Sequence, residues 1–228
     1  MEERITGELN VYTDEHRNED IFIKVKNIMV RFKENTVLDD ISYDFLKGRT
    51  YGITGNNGSG KTVLMKVICG FIIPDKGYVV VNNKVIGQDI DFPEDTGIII
   101  ETPGFLPYMS GFMNLYTLAS IRGKIGKQEI YEAMRMVDLD PMSRKKVINY
   151  SLGMRQRLGM AQALMENPKL LVLDEPLNGF DKSGRLMMLE ILKGLKKQGK
   201  TILISSHNPN DIEALCDEVC EIEGGKIQ

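Results

Sequence analysis

The sequence contains no tryptophan, only two histidines and only three cysteines among its 228 residues. The histidines, His16 and His207, together with so few cysteines supply too few ligands for a zinc site. An odd number of cysteines is typical of free thiols in a reducing cytosol rather than of a disulfide framework. Cys216 and Cys220 are four residues apart, a spacing that would place both side chains on one face of a helix.

Long apolar runs and an excess of basic charge are also missing. No run approaches the ~20 residues that span a bilayer, and the first ten residues, MEERITGELN, lack the basic and then apolar pattern of a secretion signal. The net charge is −3, and residues 1–20 hold seven acidic and two basic residues, so that the remainder carries +2. This balance argues against broad nucleic-acid binding. Any work at a membrane would require another chain to bring the protein there.

What the chain does contain is an alternation of segments with strand and helix spacing. Residues 1–20 are interpreted as a polar, acidic N-terminal arm and residues 21–228 as one domain. Residues 112–146 have helical spacing with no strand between them, which predicts a helical insert. Strands that alternate with helices predict an α/β fold with a largely parallel sheet. The apolar spacing predicts strands over 21–32, 37–48, 50–55, 97–100, 169–176 and 201–207, a hairpin over 77–87 that turns at Asn82-Asn83, and helices over 62–68, 155–168 and 183–199.

The strongest local motif is GITGNNGSGKT, residues 52–62, which fills the pattern G-x-x-x-x-G-K-[ST]. Its glycines allow the backbone to curl so that successive N–H groups point at phosphate oxygens, and the helix that follows adds its positive end. The lysine reaches the β- and γ-phosphates, and the threonine hydroxyl can bind Mg²⁺. An ordinary glycine-rich turn is the alternative, but the strand before and the helix after favour nucleotide binding. The predicted contacts are Gly55, Asn56, Asn57, Gly58, Ser59, Gly60, Lys61, Thr62 and Val63.

A second motif, LLVLDEP, ends an apolar strand in the adjacent carboxylates Asp174 and Glu175. At the C-terminal edge of a parallel sheet, both would face the crevice where ligands bind. One carboxylate can hold Mg²⁺, and the other can polarise an attacking water. A solvated acidic turn is the alternative, and it is less favoured because a phosphate loop also needs a metal-binding acid.

Taken together with three further segments, these motifs resemble the nucleotide-binding subunits of ABC transporters. YSLGMRQRLGMAQAL (150–164) is similar to the signature of that family, LNGFD (177–181) to its D-loop and SSH (205–207) to its switch histidine. RFKENTVLDDIS (31–42) resembles the strand region whose aromatic residue stacks on adenine. The resemblance covers residues 21–228. It implies a P-loop NTPase core with a mostly parallel sheet, an antiparallel β subdomain and a helical subdomain over about 105–165.

The resemblance also implies a mechanism. Two copies of the chain would pair head to tail, with each ATP between the phosphate loop of one subunit and the signature of the other. The implied roles are adenine stacking by Phe32, γ-phosphate contacts across the dimer by Ser151 and the Gly153 N–H, Mg²⁺ binding by Asp174 with Thr62, general base catalysis by Glu175, a γ-phosphate contact by His207 and a dimer contact by Asp181.

Two departures from the family pattern are informative. Leu152 and Met154 replace the usual glycine and glutamine of the signature, and an apolar side chain at Leu152 could crowd the ATP face. Glu101, in GIIIETPGF (97–105), stands where the family usually has a glutamine that senses Mg²⁺ and the attacking water and whose loop meets the permease. The resemblance therefore implies that Glu101 is a third acid, beside Asp174 and Glu175, that approaches Mg²⁺. Glutamate at this position resembles the branch that exports bacteriocin-like and lantibiotic peptides in self-protection.

The favoured function is therefore the ATPase subunit of a transporter, most simply an exporter, with ATP and Mg²⁺ as cofactors. Its expected partners are an integral membrane permease on a separate chain and a second ATP-binding subunit in a homodimer, and not nucleic acid. It would lie in the cytoplasm, peripherally on the inner face of the cell membrane. The alternatives are a soluble ABC ATPase without a transport role and a nucleotide-binding regulator with negligible turnover. Retention of Glu175 and His207 argues against the regulator.

Overall fold

The computed structural model describes residues 21–228, so the predicted acidic arm at 1–20 lies outside the described residues. The strands are β1 (Ile21–Phe32), β2 (Asn35–Leu46), β3 (Thr50–Thr54), β4 (Lys76–Val81), β5 (Lys84–Val85), β6 (Thr96–Ile99), β7 (Leu170–Leu173), β8 (Thr201–Ser205), β9 (Glu218–Glu223) and β10 (Lys226–Ile227). The helices are α1 (Lys61–Ile68), α2 (Gly111–Arg122), α3 (Lys127–Met136), α4 (Leu152–Leu164), α5 (Lys182–Lys197) and α6 (Pro209–Leu215), with a short 3₁₀ helix at Val147–Asn149.

The strands form two sheets. One has four antiparallel strands in the order β2-β1-β4-β5, and the other has six strands in the order β10-β9-β3-β8-β7-β6. In the larger sheet, β9, β3, β8, β7 and β6 run parallel, and only β10 is antiparallel to its neighbour. These two sheets confirm the predicted α/β fold with a mostly parallel P-loop NTPase core and an antiparallel β part.

The central strands of the larger sheet are apolar and completely buried, as is usual for parallel strands that are covered on both faces. One hydrophobic core lies between the two sheets and α1, and another lies where α2 to α5 cover the larger sheet. β8 is paired with β3 through Ile53 and Ser205 and with β7 through Leu173 and Ile204. The carboxyl ends of β3, β7 and β8 therefore meet at one edge, and the predicted motifs follow these strands.

Local signals explain most element boundaries. The hairpin between β4 and β5 turns at Asn82 and Asn83, both with positive φ, as predicted. The Ser151 hydroxyl accepts a hydrogen bond from the Met154 N–H, so α4 begins inside the signature segment and earlier than the predicted residue 155. α2 and α3 account for the predicted helical insert between residues 112 and 146. None of the helices in residues 21–228 combines the length and the apolar character needed to cross a bilayer.

The C-terminal region differs from the prediction. α6, β9 and β10 were not predicted, and the expectation that Cys216 and Cys220 share a helix face is wrong. Cys216 follows the last residue of α6, and Cys220 lies on β9. The chain leaves the helix because Asp217 exchanges hydrogen bonds with the backbone of Thr50, which starts the pairing of β9 with β3. All three cysteines are free thiols, and burial raises the pKa of each to about 12.

Candidate functional site

The segment between β3 and α1 curls into a loop whose conformation depends on two glycines. Gly55 has a φ of 135° and Gly60 a φ of 110°, a region that favours glycine. A Cβ atom at Gly55 would lie 2.0 Å from the Ile222 carbonyl oxygen, and one at Gly60 would lie 2.6 Å from Leu38 Cδ2. Because β9 and β2 approach the loop so closely, only glycine fits at both positions.

Lys61, the first residue of α1, folds its side chain back over this loop. Its Nζ donates hydrogen bonds to the carbonyl oxygens of Gly55 (2.8 Å) and Asn56 (2.9 Å), and the residue is buried. The Ser59 hydroxyl is also buried and has no hydrogen-bond partner. A buried cation, an unpaired hydroxyl and a helix N-terminus form a site for an anion. These residues thus fit the phosphates of a nucleotide.

Asp174 follows β7 at the same edge and is held by two hydroxyl groups. Its Oδ2 accepts a hydrogen bond from Thr62 Oγ1 at 2.6 Å, and its Oδ1 accepts one from Ser205 Oγ at 2.6 Å. Residues 21–228 contain no group of three or more His, Cys, Asp or Glu side chains that could hold a metal ion. Mg²⁺ typically binds one or two carboxylates together with substrate phosphates and water. Asp174 and Thr62 therefore fit a Mg²⁺ ion that binds together with the nucleotide.

Glu175 comes next, and its side chain turns toward His207. The backbone N–H of His207 donates a hydrogen bond to Glu175 Oε2 at 3.4 Å, and the imidazole Nε2 lies 3.2 Å from Oε1. The second distance is short enough for an ion pair, but its geometry is not that of a hydrogen bond, so Oε1 is buried without a donor. Glu175 therefore places a carboxylate beside His207 at this edge, and a carboxylate so placed can serve as a general base.

A buried ionic network supports the segment around His207. Arg185 on α5 donates from Nη2 (2.6 Å) and Nε (3.1 Å) to Oδ1 of Asp211 on α6. The other Asp211 oxygen accepts a hydrogen bond from the Ser206 hydroxyl at 2.8 Å, and that hydroxyl accepts one from the Asn208 N–H at 3.1 Å. The network therefore fixes both residues that flank His207 in the chain.

Glu101 follows β6 with a φ of 59°, and its carboxylate is paired with a lysine rather than with the other acids. Its Oε1 lies 2.5 Å from Nζ of Lys66 on α1, and 65% of the Glu101 side chain is exposed. Two residues later, Pro103 packs on α4, where a Cβ at Gly159 would lie 2.9 Å from Pro103 Cγ. The loop after β6 therefore contacts both the helix of the phosphate loop and the helix of the signature segment.

The signature segment and the D-loop segment lie against each other. Leu152 is 60% exposed, yet it covers Gly179, where a Cβ would lie 2.9 Å from Leu152 Cδ2. Asp181 caps α5 by accepting the Gly184 N–H at 2.9 Å, and this bond, with one from the Ser183 hydroxyl, holds the pKa of Asp181 below its usual value.

The structure therefore brings some predicted residues together and leaves others apart. Within residues 21–228, no hydrogen bond or ion pair joins Ser151, Gly153 or Asp181 to the phosphate loop. Phe32 lies at the end of β1 and is about half exposed. The residues that the structure assembles at one edge are the loop from Gly55 to Thr62, Asp174, Glu175 and His207.

Four supporting residues were not predicted from the sequence: Lys66, Arg185, Ser205 and Asp211. Ser205 could have been identified from the sequence, because it is the hydroxyl residue at the C-terminal end of the apolar run TILIS. The pairing of Arg185 with Asp211 spans 26 residues, and no local spacing rule indicates it.

The ABC transporter family matches residues 38–178, which is more than half of the chain. An uncharacterized ABC transporter ATP-binding protein of Bacillus subtilis is 41% identical over 206 residues, covering 90% of this chain and 94% of that protein. A bacitracin transport ATP-binding protein of Enterococcus faecalis is 38% identical, covering 90% of this chain and 67% of its own length. A lantibiotic transport ATP-binding protein of Streptococcus pyogenes is 33% identical, with coverage of 90% and 88%.

The fold is shared with a solved ATP-binding cassette, described as a dimeric post-hydrolysis state bound to ADP and phosphate. It superimposes with a TM-score of 0.80 at 22% identity and covers 90% of this chain and 96% of that one. This likeness shows that the two proteins share an overall fold. The chain belongs to the ABC transporter family, as one of its ATP-binding, ATP-hydrolysing proteins.

Proposed function

We propose that the chain dimerises around ATP and powers a separate membrane permease that exports peptide antibiotics or similar compounds. The observation that carries the proposal is the meeting of Lys61, Asp174, Glu175 and His207 at one edge of the parallel sheet. The relatives named for bacitracin and lantibiotic transport support the class of cargo. In this role the chain works at the cytoplasmic face of the membrane, where it is held by the permease.

ATP binding rests on the loop between β3 and α1. Its backbone N–H groups and the Lys61 ammonium face the phosphates, and the Ser59 hydroxyl gains the partner that it lacks in the free chain. Asn57 and Val63 complete the set of loop and helix residues that contact the nucleotide. Phe32 stacks on the adenine ring, since about half of its surface is exposed at the end of β1.

Hydrolysis rests on Glu175, whose carboxylate accepts a proton from the attacking water as the water oxygen bonds to the γ-phosphorus and the bond from that phosphorus to the β-phosphate oxygen breaks, which releases ADP and phosphate. His207 stays beside this carboxylate because the Asp211 network holds its neighbours, and its imidazole contacts the γ-phosphate. Thr62 and Asp174 hold Mg²⁺, which neutralises negative charge on the phosphates when it is bound.

The second copy of the chain supplies the groups that this chain keeps away from its own phosphate loop. Ser151 and the Gly153 N–H contact the γ-phosphate across the dimer, and Asp181 lies at the dimer contact. The exposed Leu152 borders this face and limits how closely it approaches ATP. The dimeric state of the structural neighbour supports the arrangement.

A groove of about 480 Å³ beside the Glu101 loop supports docking of the permease. Its lining includes Thr102 and Pro103 of this loop and the apolar side chains of Phe71, Leu118 and Ile121. Ile121 is 77% exposed, and exposed apolar side chains that cluster in this way mark an interaction surface. We assign the groove to a cytoplasmic segment of the permease, because ATP-binding subunits of ABC transporters work with membrane permeases.

Glu101 links this groove to the catalytic edge. We propose that its carboxylate would help to hold a Mg²⁺ ion that binds with the nucleotide, in place of its pairing with Lys66, so that the loop would respond to metal occupancy. The Glu101 side chain is mostly exposed, although only 25% of the Lys66 side chain is, so solvent screens the ion pair to a contribution of about 1 kcal/mol, which coordination of a divalent cation would exceed.

The experiment compares Glu175→Gln with Lys61→Ala in the purified chain. Glu175→Gln should bind ATP and form a dimer in ATP on size exclusion, while hydrolysis falls by about 10²- to 10⁴-fold. Lys61→Ala should bind no ATP at micromolar nucleotide and should stay monomeric. Full turnover by Glu175→Gln would refute the role of the base. Tight ATP binding by Lys61→Ala would show that phosphate binds elsewhere.

A further inference from the structure

Ser205 is the last residue of β8 and lies between the two strands that lead to the site. β3 is paired with it at Ile53, and β7 is paired with the preceding residue, Ile204. Ser205 is completely buried, and a buried hydroxyl is costly unless it is hydrogen-bonded. The hydrogen bonds that the Ser205 hydroxyl makes are therefore needed to offset the cost of burying it.

The Ser205 hydroxyl is used as a donor and as an acceptor, and both partners are proposed site residues. It donates to Asp174 Oδ1 at 2.6 Å and accepts from the Glu175 N–H at 2.9 Å. With Thr62 bonded to the other oxygen of Asp174, the carboxylate is fixed between β8 and α1. A single hydroxyl thus touches the side chain of one acid and the backbone of the next.

The bond to the Glu175 N–H matters because of the backbone conformation there. Glu175 has a φ of 49°, a left-handed conformation that is unfavourable for a residue with a side chain. The Ser205 bond holds this turn, and the turn directs the Glu175 carboxylate toward His207. Without the hydroxyl, the Glu175 N–H would lose its partner and the turn could relax.

We propose that Ser205 is a positioning residue for ATP hydrolysis. Its single hydroxyl orients both the metal-binding carboxylate of Asp174 and the general base Glu175. The inference rests on the roles proposed above for Asp174 and Glu175. Supporting groups of this kind, which orient metal ligands and bases, typically change metal affinity or activity by about 10- to 100-fold when they are removed.

The test uses variants that separate the hydroxyl from the shape of the side chain. Ser205→Ala removes the hydroxyl without adding volume. Ser205→Thr and Ser205→Val have the same shape and differ only in the hydroxyl. Thr201→Val is the matched control, because Thr201 is a buried hydroxyl at the other end of β8, where it accepts the Gly48 N–H at 2.9 Å.

Two readouts are measured on each purified variant. The first is kcat and KM for Mg-ATP, and the second is the affinity for Mn²⁺ in the presence of ADP, measured by electron paramagnetic resonance. In Ser205→Ala, kcat should fall by about 10- to 100-fold and Mn²⁺ affinity by about tenfold, while KM for ATP changes by less than about threefold. Ser205→Thr should restore both quantities, Ser205→Val should restore neither, and Thr201→Val should leave both unchanged.

Three results would overturn the inference. They are a Ser205→Ala variant with the parent's kcat and Mn²⁺ affinity, a Ser205→Val variant as active as Ser205→Thr, and a Thr201→Val variant as impaired as Ser205→Ala. If Ser205→Thr does not fold, the comparison of Ser205→Ala with Thr201→Val still decides. Failure of the proposed function looks different, since the unmodified chain itself would neither bind nor hydrolyse ATP.

Discussion

Replacing Arg185 with leucine removes the cation that faces the carboxylate of Asp211. That carboxylate is 97% buried, because only 3% of the side chain is exposed, whereas one third of Arg185 reaches solvent. After the substitution, the Ser206 hydroxyl would be the remaining side-chain donor to Asp211. An uncompensated charge would then lie between α5 and α6.

The magnitude follows from this burial. Removal of one partner from a buried ion pair typically costs about 3–5 kcal/mol. Water that reaches the exposed third of the Arg185 site reduces the penalty, so we expect a loss of about 2–3 kcal/mol in the free energy of unfolding. For a domain of this size, about 2–4 °C in Tm accompanies each kcal/mol, which gives a fall of about 4–12 °C.

Calorimetry and urea unfolding of the purified chain measure this loss, and a double variant tests its cause. Arg185→Leu with Asp211→Asn removes both charges and keeps an acceptor for Ser206, so it should be more stable than Arg185→Leu alone by about 1 kcal/mol. A loss below about 0.5 kcal/mol in the single variant would refute the reasoning. So would a double variant that is no more stable than the single one.

Glu101→Gln should shift the Mg²⁺ concentration that half-activates the ATPase while stability changes by less than about 1 kcal/mol; unaltered Mg²⁺ dependence and unaltered export would mean that the carboxylate has no special role. Ile121→Asp should leave the basal ATPase of the isolated chain unchanged and lower its binding to permease-containing membranes, because it places a charge among the exposed apolar side chains of the groove. Met142→Asp, at a residue that is 69% exposed outside the groove lining, is the matched control. Equal membrane binding by both variants would contradict the docking assignment.

The sequence predicted that these motifs meet at one edge of the sheet, because parallel strands end on the same side. Once Gly55, Asp174 and His207 were each seen to follow an apolar strand, their proximity was a consequence of the fold class. The hairpin turn at Asn82-Asn83 could also be predicted from the local sequence, since asparagine tolerates the positive φ that such a turn needs. These signals are all contained within a few residues.

The features that could not be predicted from the sequence depend on contacts between segments that are distant along the chain. β9 has the sequence EVCEIE, in which half of the residues are glutamate and the apolar residues do not alternate strictly with them, and its pairing with the buried β3 begins at the Asp217 bonds to Thr50. The bond of Ser205 to Asp174 and the pair of Arg185 with Asp211 arise only when separate elements pack together. No periodicity in the chain carries this information.

The environment of Glu101 is set by Lys66, a residue that lies far from it in the sequence. The family pattern placed this acid beside Mg²⁺, where it would add to the negative charge of Asp174. In the structure it is paired with Lys66, which lies on the same helix as Thr62, four residues further along. The lysine compensates the negative charge of the carboxylate. In the role proposed for Glu101, a divalent cation would take the place of Lys66 beside this carboxylate, in a loop whose Pro103 packs against Gly159 on the signature helix.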